Sequence, residues 1–72
     1  MFQLHELSEL SYVKYDGKIY QIRFNHPSEL CHLSHQYVYR NTDGRQYYCP
    51  DNTYIHLDPT TMVRLVDDLP TR

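Results

Sequence analysis

Five histidines and two cysteines stand among these 72 residues, and their spacing is where chemistry would begin. Cys31 and His35 are four apart, which would place both on one face of a helix. His26 and His32 are close by in the chain, and Cys49 could approach across a sheet. A structural zinc ion needs four nitrogen or sulfur ligands in a tetrahedron. The chain has no Cys-x-x-Cys pair and no second well-spaced pair. Cys31 and His35 are therefore weak metal candidates, and no zinc or other cofactor is expected. The same residues fall short of a nucleophilic pair. A thiol is activated by a shielded and oriented imidazole, whereas Cys31 and His32 are neighbours in a short segment with no evident acid to orient the ring. No Gly-rich phosphate loop and no paired carboxylates stand out. A non-enzymatic protein is expected.

Tyrosine and arginine carry the stronger signal. The chain has eight Tyr and no Trp. Tyr favours strands and packs its ring while its hydroxyl stays wet, so many of these rings suit a thin, half-buried sheet. Tyr and Arg are also enriched where binding energy concentrates. Tyr37, Tyr39 and Tyr48, with Arg40 and Arg45, surround Asp43-Gly44 and form the partner-binding candidate. A rigid hairpin carrying aromatics loses little entropy on binding. The expected function is that of a small binding module occupying a surface of a larger protein, as a regulator or an inhibitor of the kind mobile elements encode. One alternative is a small nucleic-acid-binding barrel, its rings stacking on bases while Lys14, Lys18, Arg23, Arg40 and Arg45 track phosphates. Another is a structural homo-oligomer, with the same rings forming a homodimer contact.

Composition sets limits on these readings. A chain of this length makes one domain, residues 1–72, burying about 60% of its unfolded surface. That leaves little scaffold for a deep catalytic cleft. Apolar residues make up 40% and charged residues 22%, a globular profile. The net charge is -2 and uneven. Glu6 and Glu9 make residues 1–10 acidic, residues 11–50 are net basic, and residues 51–72 are acidic again. This is too little positive charge for strong nucleic-acid affinity, which needs clustered Lys and Arg. No apolar run reaches membrane-spanning length, so no membrane partner is expected. No signal-like leader is apparent, and free thiols in a reducing cytoplasm are expected of Cys31 and Cys49.

Two hairpins must position these residues. Ser11–Tyr15 and Lys18–Phe24 alternate apolar and polar residues about Asp16-Gly17, residues that tolerate the positive φ of a tight turn. A two-residue loop pairs Tyr15 with Lys18, Val13 with Tyr20 and Ser11 with Ile22. Val13, Tyr15, Tyr20, Ile22 and Phe24 then share the core face. A one-residue slip would bury Lys14 and Arg23. The second hairpin joins Gln36–Asn41 to Arg45–Cys49 through Thr42-Asp43-Gly44 or a close variant. Its core face is read as Val38, Tyr47 and Cys49, with Arg40 and Arg45 snorkelling at the tip. Tyr37, Tyr39 and Tyr48 then face outward, although the reverse assignment remains open.

The remaining segments are connectors. Asn25–His35 reads as an ordered loop or a single helical turn opened by Pro27. Pro50-Asp51-Asn52 reads as a turn before a short strand, Tyr54–Leu57. Asp58-Pro59 opens a short 3₁₀ turn followed by a strand, Met62–Val66, with a helix as the competing reading. Residues 1–9 form a lead-in or a short helix, residues 10–66 the β core and residues 67–72 a tail. The fold expected is mainly β: a five-stranded antiparallel SH3-like barrel or curled sheet with one or two short helical turns. That likeness is one of strand order, with no diagnostic motif behind it.

Overall fold

The computed structural model describes residues 1–66. The tail at residues 67–72, including Asp67 and Asp68, lies outside the described residues. The chain forms a mainly β structure: β1 (Phe2–Gln3), a 3₁₀ turn (Leu4–Glu6), β2 (Tyr12–Tyr15), β3 (Lys18–Phe24), β4 (Cys31–Arg40), β5 (Gln46–Leu57) and β6 (Met62–Leu65). These six strands make one antiparallel sheet in the order β1-β6-β2-β3-β4-β5. The sheet is open, with β1 and β5 at its two edges. The sheet has six strands against the expected five: the segments read separately as Arg45–Cys49 and Tyr54–Leu57 run together in β5, and Phe2 and Gln3 add a strand by pairing with Val63 and Met62. The expected barrel is not closed. No helix opens at Pro27, where the chain makes a plain turn.

The Asp16-Gly17 turn folds as its residues dictate. Both lie at positive φ, 53° and 75°, so the loop has two residues. Tyr15 pairs with Lys18 and Val13 with Tyr20. The face this register selects supplies much of the core. Leu4, Val13, Tyr20, Ile22, Cys31, Leu33 and Val63 are buried together, with Leu7, Tyr15, Ile55 and Leu57 at their margin. Phe24 departs from the expected face. A bulge between Ile22 and Phe24 inserts Arg23, and Phe24 pairs with His32 on the opposite side of the sheet.

The N-terminal segment closes the core margin. Leu4 is fully buried, and the backbones of Leu4 and His5 donate to the carbonyls of Thr61 and Pro59. Asn25 fastens this strap. Its amide nitrogen donates to the Leu4 carbonyl at 3.0 Å and to that of Leu7, and its oxygen faces the Cys31 thiol at 3.4 Å. The last strand forms as expected over residues 62–65, following a turn at Pro59-Thr60. Thr60 donates to the Asp58 carboxylate from both its N–H and its hydroxyl, which lowers the Asp58 pKa.

β5 contains a larger irregularity. Gln36 pairs with Pro50 and Ser34 with Tyr54, so Asp51, Asn52 and Thr53 together stand opposite His35. The expected turn at Pro50-Asp51-Asn52 is therefore a bulge inside one continuous strand. Asn52 takes a φ of 65°, a conformation that Asn tolerates better than most residues. Asp51 holds the bulge by accepting from the Thr53 N–H at 3.1 Å and by meeting His35 Nδ1 at 2.6 Å. The His35 hydrogen bond, followed by that of Thr53, holds the Asp51 pKa below its ordinary value of 3.8.

Candidate functional site: an aromatic arm

Beyond Gln36, β4 outruns its neighbour. Ile19, one residue inside the start of β3, stands opposite Gln36. The stretch from Tyr37 to Cys49 is therefore a two-stranded ribbon projecting from the sheet, and it lies in a structure measuring 43 × 23 × 19 Å. A two-stranded hairpin is marginal alone in water, so this arm needs support from its tip or its base.

The tip is fixed by Asn41. Its backbone N–H donates to the Arg45 carbonyl and its side-chain oxygen accepts from the Arg45 N–H, both at 3.0 Å. Gly44 donates back to the Asn41 carbonyl at 3.1 Å, and its φ of 84° suits a residue without a Cβ. The loop between the paired residues Asn41 and Arg45 is Thr42-Asp43-Gly44.

The loop is the one expected, but the register it sets differs from the faces read beside it. Tyr39 stands opposite Tyr47, Tyr37 opposite Cys49, Val38 opposite Tyr48 and Arg40 opposite Gln46. Directly opposed residues share a face. One face therefore carries Tyr37, Tyr39, Tyr47 and Cys49, and the other carries Val38, Arg40, Gln46 and Tyr48. The expected core face of Val38, Tyr47 and Cys49 does not exist as a unit. The β4 side of the outer arm is open on both faces, with Tyr37 48% exposed, Val38 51% and Tyr39 50%, while Gln46, Tyr47, Tyr48 and Cys49 on β5 are half-buried.

The candidate binding residues thus divide. Tyr37 and Tyr39 stay together, and Tyr47 joins them. The rings of Tyr39 and Tyr47 lie 6.3 Å apart with planes inclined by 27°. Asn41 Nδ2 reaches the Tyr47 hydroxyl at 3.3 Å. Arg45 extends this side of the tip, since strand alternation places it with Tyr47. Arg40 belongs to the other face, beside Gln46, whose amide would accept from the guanidinium with its oxygen and nitrogen exchanged.

Tyr48 supports the arm's base. Its ring lies 5.1 Å from that of Tyr12, although β3 and β4 separate their strands. The two rings meet diagonally over the face that holds Gln21, Ser34 and Gln36. This accounts for the burial of Ser34 and Gln36, at 0% and 3% exposure. Gln36 Nε2 donates to the carbonyl and hydroxyl of Ser34 at 3.2 Å, while its Oε1 has no partner.

The weak metal candidates are not brought together with further ligands. Cys31 is buried beside Asn25, and His35 lies at the bulge with its edge toward Tyr20. Cys49 sits on the arm opposite Tyr37. Both cysteines are free thiols. Among the described residues, no three of His, Cys, Asp and Glu converge as a metal site. Among the same residues, no helix is long and apolar enough to cross a membrane. Comparison with known proteins gives no match to a family model, a curated protein or a solved structure.

Proposed function

We propose that this chain is a non-enzymatic binding module. Within that class, we propose a small regulator or inhibitor that seats its aromatic arm on a surface of a larger protein. The observation supporting this reading is a tethered hairpin that leaves Tyr37, Tyr39 and Tyr47 together on an open face, with Arg45 at its rim. Rings with two rotatable bonds, already fixed by strand pairing, give up little entropy on docking. The order of the strands also favours an opened SH3-like meander: β2-β3-β4-β5 run in sequence and β6 returns beside β2. Fold kinship alone assigns no function. Free thiols at Cys31 and Cys49 favour a reducing compartment such as the cytoplasm.

Affinity capture with the intact chain, compared with Tyr39→Ala and Tyr47→Ala, tests the proposal. One protein should be retained by the parent and lost by both variants, with all three chains equally folded. Equal retention by the variants would overturn the assignment to this face. Light scattering on the same samples identifies the case in which the partner is a second copy.

A nucleic-acid reading has one observation in its favour. Lys14 and Arg64 are direct cross-strand partners beside a shallow hollow of about 390 Å³. Like charges directly opposed repel, and an anion between them would relieve that repulsion, although Asp16 lines the same hollow. Binding to a single-stranded oligonucleotide that weakens steeply with salt and depends on Lys14 and Arg64 would favour this reading over the arm.

A further inference from the structure

The pairing of β4 with β5 creates a histidine pair far from the arm. His32 and His56 are direct cross-strand partners. Their ring centroids lie 4.4 Å apart, with planes at 85°, and both residues are exposed. Phe24 supports His32 from the β3 side, its centroid 5.1 Å away, and the His26 ring stacks on Phe24 at 6.3 Å. The bulge at Arg23 places Phe24 there.

The spacing matches that of two imidazoles sharing one ion. A metal about 2.1 Å from each ring nitrogen lies about 3.2 Å from each ring centroid, so cis ligands near 90° have centroids about 4.5 Å apart. Binding requires one nitrogen of each ring to face a common point, which rotation about the side-chain bonds would have to supply. The remaining histidines of the described chain have other neighbours. His5 meets Gln3, His35 meets Asp51, and His26 lies by Ser28 and Glu29.

We propose that His32 and His56 form a binding site for one divalent transition-metal ion that accepts imidazole, such as Cu2+, Ni2+ or Zn2+. Two nitrogen ligands leave the other coordination positions to water or to a group from another molecule. Cu2+ binds more tightly than Ni2+ or Zn2+, following the general order for nitrogen sites. The site lies at the opposite end of the β4–β5 ribbon from Tyr39 and stands apart from the proposed function.

Calorimetric titration of the untagged chain with Ni2+ tests it, with Cys49→Ser included to remove the half-exposed thiol. The expected result is saturable binding of one ion per chain, unchanged by Cys49→Ser or His5→Ala. His32→Ala and His56→Ala should each weaken binding at least tenfold, and Ni2+ should raise the melting temperature of the parent, Cys49→Ser and His5→Ala chains by more than that of His32→Ala or His56→Ala. Circular dichroism establishes that the variants are folded. Where an alanine variant unfolds, His32→Gln or His56→Gln takes its place, with the same loss expected. No saturable binding, or binding that survives loss of either imidazole, would overturn the proposal.

Discussion

The two hairpins turn on the same Asp-Gly pair, and they do opposite things. At Asp16-Gly17 the loop has two residues, the register places Val13 beside Tyr20, and one face is sealed in the core. At Asp43-Gly44 the loop has three residues, and the ribbon runs past the sheet with Tyr37, Val38 and Tyr39 about half exposed. The difference lies in what stands beside each hairpin. β2 and β3 are flanked by β6 and β4, whereas the outer parts of β4 and β5 have only each other. A turn dipeptide can set a reversal, but neighbouring strands decide whether the result is scaffold or surface.

Truncation should separate the two most sharply. Ile22 is fully buried, and Ile22→Ala should cost about 2–5 kcal/mol in urea denaturation. Tyr39→Ala should cost less than about 1 kcal/mol, since half of that residue is already in water. A large loss at Tyr39 would mean that the arm's open face belongs to the folding unit.

Tyr12→Ala probes the junction of the two regions. Removing the ring that meets Tyr48 should cost the arm about 1 kcal/mol of aromatic contact. Hydrogen exchange should quicken at arm amides on β4 and β5, while β3 amides opposite Leu33 and Ser34 change less. Uniform acceleration would instead make Tyr12 part of the global core.

The glycines give a finer test. A Cβ on Gly17 or Gly44 would meet nothing within 4 Å, and both residues have positive φ. Gly→Ala at either site should therefore cost about 1–2 kcal/mol through backbone conformation alone. The Gly17→Ala cost should appear in the global melting temperature. The Gly44→Ala cost should appear mainly as faster exchange near Asn41 and Arg45.

The smallest effect should come from acid. The Asp51 pKa is depressed in the folded chain, first by the hydrogen bond with His35. The unfolded chain therefore takes up its proton at a higher pH. The carboxylate's contribution is present above its ordinary value of 3.8 and is lost as pH falls through the depressed value. Asp51→Asn should flatten that part of a melting-temperature profile between pH 5 and 2. An unchanged profile would assign the acid response elsewhere, with Asp58 next to examine.

The first hairpin was legible in the sequence because a two-residue loop fixes register directly, and its apolar alternation agrees with that register. The second was legible only as a hairpin. Its Thr42-Asp43-Gly44 loop could be read, but the faces drawn beside it fit a loop of even length; the three-residue loop sets Tyr39 opposite Tyr47 and so exchanges Tyr47 and Tyr48 between faces. Tyr37, Tyr39 and Arg45 could be found as an aromatic and basic cluster, but the support of Tyr48 by Tyr12 depends on the twist of four strands. Bulges were equally hidden. No composition signal marks Arg23 as the residue that turns Phe24 over, and Pro50-Asp51-Asn52 has the residues of a turn. His32 and His56 share no short motif, so their meeting follows only from the register of β4 with β5.

That register leaves β5 as a twelve-residue strand on the edge of the sheet. A flat edge of this length would template fibre-like stacking of one chain on another. Pro50 has no N–H to offer, and the bulge at Asp51–Thr53 breaks the outer line into two short runs. The irregularity beside the arm therefore interrupts the edge where an unbroken strand would offer its longest template.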